Sequence, residues 1–328
     1  MATDTLGLRR RRTASSWESR DAPASSTGVV MTRYALIGLG NMGGGMAAVL
    51  AQAGHQVQAF DLSPKALERA AGSGASPSGS AVEAVRGTEV VLTMLPAGTH
   101  VRDVYQQAVL PHADPKALLI DCSTIDVDTA RDLARQAHSA GFAAADAPVS
   151  GGVAAAAAGT LTFMVGCPEQ DFSRVKTALS PMARTVAWAG EPGAGQAAKI
   201  CNNMLLGVSM IGVCEALALA ERLELDPERF FEIASASSGQ CWSLTAYCPW
   251  PGPVATAPSN RAYEGGFAVS MMLKDLKLAQ GAAATVGVST PLGSQAEALY
   301  ALFDRLGYGE KDFSSLLQLL RGRLDQLA

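Results

Sequence analysis

Histidine is scarce in this 328-residue chain: only His55, His100, His112 and His138 occur, and none lies beyond position 138. A mechanism that needs a histidine from the C-terminal half is thereby excluded. Cysteine is sparse and unpatterned. Cys122, Cys167, Cys201, Cys214, Cys241 and Cys248 form no CxxC pair and no zinc spacing with a histidine. No metal site or redox dithiol is expected, and the six read as reduced core thiols. A basic excess is also missing: 26 Lys and Arg face 30 Asp and Glu, a net charge of −4, which argues against a nucleic-acid partner. Long apolar runs are absent too. The charge-free stretch Ile200–Cys214 is shorter than the roughly 20 residues of a membrane span, and Asn202 and Asn203 interrupt it. A soluble protein without a membrane partner is expected. Residues 1–32 lack apolar periodicity, and no apolar stretch follows Arg9–Arg12, so a secretory signal is excluded. This segment reads as a disordered extension, with Met31 as the functional start. A mitochondrial transit peptide is the other reading, opposed by Asp4, Glu18 and Asp21.

What is present is globular. Hydrophobic residues make up 48% and charged residues 17%, too apolar for a disordered chain, and the length suits one or two domains. Short apolar runs at Tyr34–Ile37, Gln56–Phe60, Glu89–Leu95, Ala117–Ile120, Phe142–Ala145, Leu161–Val165 and Thr185–Trp188 read as strands. Helical patterns lie between several of them, at Met42–Ala53, Asp126–Ala140 and about 169–178. That alternation predicts βαβ units and a mostly parallel sheet. From Gly195 the period changes. Gln196–Leu223 reads as one long helix of roughly 40 Å, apolar nearly all round and therefore buried on several sides. Helices follow at Pro227–Ser235, Ser270–Val286, Leu292–Leu306 and Lys311–Leu324, with a Pro-, Gly- and aromatic-rich functional loop over Gln240–Phe267.

Gly38-Leu39-Gly40-Asn41-Met42-Gly43 is a GxGxxG that follows a strand and opens a helix. Asp61 ends the second strand, 18 residues past Gly43. Together these form the full dinucleotide-binding context. The expected fold is therefore α/β: a Rossmann-type, mostly parallel NAD-binding domain over 33–194, joined by the long helix to an all-α C-terminal domain within 195–328. Asp61 would accept hydrogen bonds from the ribose hydroxyls and repel a 2′-phosphate, so the expected cofactor is NAD rather than NADP.

Three further turns, Leu95-Pro96, Ser123-Thr124 and Ser150-Gly151-Gly152, each follow a predicted parallel strand. All should lie on the carboxyl edge of the sheet, where ligands bind. Each alone could be punctuation. Lys199 is a lone cation near the start of the apolar helix, with Asn203 four residues on and on the same face. By spacing alone it is either a snorkelling surface lysine or a desolvated base. Lys274-Asp275 is likewise either a solvated face or a second polar pair of the site.

Several long motifs in order carry a resemblance over about residues 33–322. They are GLGNMGGGMA, DAPVSGGVAAAAAGTLTFMVG, GQAAKICNNMLLGVSMIGVCEA, SSGQCWSLTAYCPWPG, YEGGF, MMLKDLKLA and KDFSS. The chain resembles the β-hydroxyacid dehydrogenase family. That resemblance implies NAD-dependent oxidation of a small 3-hydroxy acid, 3-hydroxyisobutyrate to methylmalonate semialdehyde as in valine breakdown. Sister activities on tartronate semialdehyde/glycerate or serine are the alternatives, and a non-catalytic NAD-binding protein is the rival of another class. It implies Lys199 as the acid/base, and Ser150, Gly151 and Gly152 as binders of the substrate carboxylate. Asn203 would orient substrate and lysine, and Asp275 would stand at the substrate end. Leu95, Pro96, Thr124 and Lys274 would contact NAD alongside the phosphate loop. His100 and Cys248 depart from the family pattern, the first near the cofactor and the second in the substrate loop. A homodimer or homotetramer is expected, in a bacterial-type cytoplasm or, alternatively, the mitochondrial matrix.

Overall fold

The computed structural model describes residues 31–327. The disordered-extension and transit-peptide readings fall outside them, apart from residues 31 and 32. Strand β1 (Arg33–Ile37) leads through α1 (Asn41–Gln52) to β2 (Gln56–Phe60), α2 (Pro64–Gly72), β3 (Ser76–Pro77), α3 (Ala81–Val85) and β4 (Val90–Thr93). Next come α4 (Gly98–Val104), a π-helical turn (Tyr105–Val109), α5 (Leu110–His112), β5 (Leu118–Asp121), α6 (Val127–Ser139) and β6 (Ala143–Asp146). Then follow β7 (Val149–Ser150), α7 (Gly152–Ala158), β8 (Leu161–Gly166), α8 (Glu169–Leu179) and β9 (Ala183–Gly190). The runs read from the sequence do not include α2, β3, α3 or the α4–α5 stretch, although α2 is amphipathic, burying Ala66 and Ala70 one turn apart.

Strands β3-β2-β1-β4-β5-β6 are parallel, in that order. Their apolar side chains are buried on both faces, as a sheet covered by helices requires. Beyond β6 the direction reverses. β8 runs antiparallel to β6 and β7, and β9 pairs parallel to β8. The sheet is therefore mixed, and the Ser150 turn does not simply cap a parallel strand as expected. The chain folds back through the glycine turn and the short α7, a return that needs no crossover helix over the sheet.

Helix α9 (Ala194–Arg222) opens the helical part, followed by α10 (Pro227–Ser235), α11 (Trp242–Thr245), α12 (Val269–Val286), α13 (Pro291–Phe303) and α14 (Leu316–Arg321). Their apolar faces share a second core around Met210, Leu217, Met272, Tyr300 and Phe313. α9 and α12 approach closely at Gly207, where a Cβ would already touch Met272 Sδ at 3.2 Å. By length and hydropathy alone, α9 would be long and apolar enough to cross a membrane. Its burial is more one-sided than its composition predicts. Leu205, Leu219 and Leu223 are 66%, 60% and 69% exposed and lie along one face. The helix pattern read over Lys311–Leu324 is shorter in the structure. Asp312 caps a 3₁₀ turn (Phe313–Ser315), and Gly322 (φ 68°) stops α14 in the left-handed conformation. The Gln240–Phe267 loop is ordered: Trp242 stacks on Tyr247, whose hydroxyl donates to Asp312.

Candidate active site

The first three N–H groups of α1, on Asn41, Met42 and Gly43, precede the first intrahelical bond, Gly44 N–H to Gly40 O, and no side chain caps them. Gly38 takes φ +96° with its α-carbon against the Met94 carbonyl, and Gly43 packs on the Gly38 carbonyl. Gly40 differs. It is exposed, and a Cβ there would meet nothing within 4 Å. Free donors at a helix N-terminus under open space suit a pyrophosphate. Leu39 is buried beneath the loop, and its N–H donates to Asp61 Oδ2 at 2.7 Å. Asp61 Oδ1 accepts from Ser63 N–H at 2.8 Å. The acidic residue is thus held at the end of β2 with lone pairs to spare for ribose hydroxyls. The phosphate-loop residues therefore fit a dinucleotide.

The other turns gather at the same edge. Half-buried Leu95 and exposed Pro96 follow β4, and Leu95 N–H donates to Ser123 Oγ at 2.8 Å. That hydroxyl donates in turn to Asp121 Oδ1 at 2.6 Å, which also accepts from Thr93 Oγ1 at 2.7 Å. Burial raises the Asp121 carboxyl above its usual range, and its Oδ2 has no partner. Asp146 stands opposite Asp121 in register on β6 and takes the start of α9. It accepts from Gly193 N–H at 2.6 Å and Gln196 N–H at 2.8 Å. Burial pushes it up to about 6, against those two bonds. Ser150 lies half-buried in β7, and Gly151 (φ 130°) and Gly152 (φ 71°) start α7 exposed to solvent.

Lys199 is not a surface lysine. It is 7% exposed, and burial lowers its ammonium below the ordinary 10.5, opposed by the charge of Asp275. Among the described residues, no hydrogen bond ends on its ammonium. Asn203, one turn on, is engaged elsewhere: its Nδ2 donates to Asp275 Oδ2 at 2.5 Å and its Oδ1 accepts from Asn202 at 3.0 Å. Asp275 is 2% exposed and lies behind Asn203 on α12, with Lys274 Nζ 3.3 Å from its Oδ1. Lys274 also donates to Thr124 O at 2.9 Å, tying α12 to the β5–α6 turn. His100 is exposed on α4, whereas Cys248 is fully buried in the helical core and so does not face the substrate loop's surface. Among the other cysteines, Cys201 is exposed and Cys241 half-buried, so not all six are core thiols. No cluster of three metal-ligating side chains occurs among the described residues.

The sequence reading missed Thr93, Asp121, Asp146 and Gln196. Asp121 and Asp146 did leave a signal: each is an acidic residue ending an apolar strand. Gln196 left only its place at the start of an apolar helix.

Residues 33–190 match a family described as the NAD-binding domain of 6-phosphogluconate dehydrogenase. Residues 193–320 match one described as the NAD-binding part of NADP-dependent 3-hydroxyisobutyrate dehydrogenase. A 3-hydroxyisobutyrate dehydrogenase of Pseudomonas aeruginosa is 49% identical over 297 residues, covering 89% of this chain and all of that protein. An NAD-dependent L-serine dehydrogenase of the same organism is 46% identical, covering 88% and 98%. A solved structure of Mycobacterium tuberculosis 3-hydroxyisobutyrate dehydrogenase with L-serine superposes with a TM-score of 0.85 at 46% identity, covering 89% and 100%. The chain belongs to the β-hydroxyacid dehydrogenase family. It is accordingly an NAD-binding hydroxyacid dehydrogenase.

Proposed function

We propose that this chain oxidises 3-hydroxyisobutyrate to methylmalonate semialdehyde with NAD, the valine-breakdown reaction, and that Lys199 is its acid/base. The observation that carries this reading is the buried Lys199 ammonium, held on α9 between Gln196 and Asn203. NAD, when bound, would supply the acceptor for the hydride of the hydroxyl-bearing carbon. Gly38–Gly43 and Asp61 would hold its pyrophosphate and ribose, with Leu95, Pro96, Thr124 and Lys274 along the rest. Unprotonated Lys199 takes the substrate's hydroxyl proton, and in reverse returns it to the developing alkoxide. Ser150 and the N–H groups of Gly151 and Gly152 would take the carboxylate, with Asn203 and Asp275 orienting the reacting end. The two parts divide at 33–194 and 195–328, with the substrate between them. NAD is favoured over NADP by Asp61, although one matching family is described as NADP-dependent.

L-Serine oxidation is a second reading, favoured by the serine dehydrogenase relative and the serine-containing structure. A panel of 3-hydroxyisobutyrate, L-serine and D-glycerate with NAD and NADP ranks the candidates, and no NADH formed with any of them would leave a non-catalytic binder. Lys199→Met should lower kcat by at least about 10² with the fold intact. Lys199→Arg should be nearly as damaging, since guanidinium keeps its proton. Wild-type oxidation should rise with pH as Lys199 deprotonates, at lower pH than a free amine because burial lowers it, and this limb should vanish in the Met variant. More than about a tenth of the activity left in Lys199→Met, a loss under about 1.4 kcal/mol, would refute the assignment.

We further place the protein as a homodimer or homotetramer joined through the open face of α9, without nucleic-acid or membrane partners. Its proposed location is a bacterial-type cytoplasm, with the mitochondrial matrix as the alternative; cell fractionation would test this.

A further inference from the structure

Gln196 is wholly buried in the first turn of α9, three residues before Lys199. Its backbone N–H is taken by Asp146, and its side chain reaches the β5–α6 turn. There Nε2 donates to Ser123 O at 2.7 Å, and Oε1 accepts from Ile125 N–H at 3.1 Å. One amide thus satisfies a buried acceptor and a buried donor in a turn more than 70 residues earlier. An amide supplies both functions in one plane; a carboxylate lacks the donor and an ammonium the acceptor. The carbonyl between them, Thr124 O, is held by Lys274 from α12. Three consecutive residues of the turn are therefore pinned from the two helices that carry Lys199 and Asp275.

We propose that Gln196 is a positioning residue that locks the turn Ser123–Ile125, on the cofactor side of the site, to the helix bearing Lys199, so that proton acceptor and cofactor-side turn move as one unit. The inference rests on the reading of Lys199 and NAD given above. The alternative is that Gln196 only stabilises the fold. Full-length Gln196→Met keeps the volume and helix propensity but removes both bonds. Gln196→Glu keeps the acceptor for Ile125 N–H and sets an oxygen against Ser123 O.

Three measurements decide: hydrogen exchange at the Ile125 amide without cofactor, the NAD dissociation constant by calorimetry, and kcat with its pH profile. In Gln196→Met, Ile125 should exchange at least about tenfold faster, because a buried N–H loses its acceptor. NAD should bind about tenfold more weakly, and kcat should fall about tenfold or more, with the alkaline limb unmoved because Lys199 keeps its surroundings. In Gln196→Glu, NAD should weaken while Ile125 stays protected. A merely structural role would lower the melting temperature and speed Ile125 exchange, but leave the NAD constant and kcat of the folded molecules as in wild type. Lys199→Met is the control and should leave both unchanged. If that variant kept its activity, the assignment of the base would fall, while exchange and NAD binding would still judge Gln196. An NAD constant within twofold of wild type in folded Gln196→Met would overturn the proposal, whatever the Ile125 exchange rate. Should the Met variant not fold, the Glu variant decides: an NAD constant within twofold overturns it.

Discussion

Three glycines of the phosphate loop should respond differently to one added methyl group. At Gly40 the backbone has φ −59° and ψ −165°, outside the left-handed region and at the edge of the extended region open to alanine, and no atom of the protein lies within 4 Å of the new Cβ. The fold should tolerate Gly40→Ala or gain about 0.4–1 kcal/mol from the stiffer unfolded chain. For a chain of this size that is a melting shift of up to roughly 2–4 °C upward. The same methyl would occupy the space above the free N–H groups of α1, so NAD should bind at least about tenfold more weakly, about 1.4 kcal/mol. At Gly43 the new Cβ would overlap the Gly38 carbonyl oxygen, a backbone atom that cannot step aside alone. Overpacking of that kind costs about 1–3 kcal/mol, and Gly43→Ala should melt several degrees lower even without cofactor. Gly38→Ala adds strain to overlap, because its φ is +96° and the Met94 carbonyl lies in the way. Thermal melts without cofactor and NAD titration by calorimetry separate the cases. A Gly40→Ala protein that loses several degrees, or that binds NAD within twofold of wild type, would refute the assignment of this loop.

The cofactor preference should be at least about tenfold in kcat/KM for NAD over NADP, about 1.4 kcal/mol; equal efficiencies would contradict it. Asp61→Ala should narrow that ratio and also raise the KM for NAD, because Asp61 holds the Leu39 N–H of the phosphate loop. Burial lowers Lys199 below the unfolded value, so the folded state binds fewer protons between the two, and stability rises with pH through that window up to about 10.5. Below the window the burial penalty is full. Lys199→Met should therefore be more stable than wild type at pH 7, by a margin that shrinks at pH 9.5; urea titrations at the two pH values check the sign. The exposed stripe of Leu205, Leu219 and Leu223 on α9 calls for a second copy. Light scattering should give a dimer or tetramer mass, and a monomer mass at all concentrations would exclude it.

Local pattern was enough for much of this molecule. Apolar runs a few residues long located the main strands, and β2 and α10 have the bounds the sequence predicts. The dinucleotide loop was readable because its parts are close in the chain: strand, glycines, helix and Asp61 span fewer than 30 residues. Family resemblance then singled out Lys199, where spacing alone favoured a snorkelling surface lysine.

Tertiary structure decided what depends on distant partners. Whether β8 runs with or against its neighbours is set by the turn at Ser150–Gly152 and its pairing with β7, and either direction uses the same alternating residues. The open side of α9 has the same apolar composition as its buried sides, so no periodicity could identify it. Burial of Lys199 lowers its proton affinity against the opposing charge of Asp275 on α12, and both the burial and that neighbour exist only in the folded chain. Gln196 and Asp146 act through hydrogen bonds to backbone groups, which any residue supplies, and Asp121 acts chiefly through the hydroxyls of Thr93 and Ser123. Their roles exist only once folding has brought Ser123, Ile125 and Gly193 within reach.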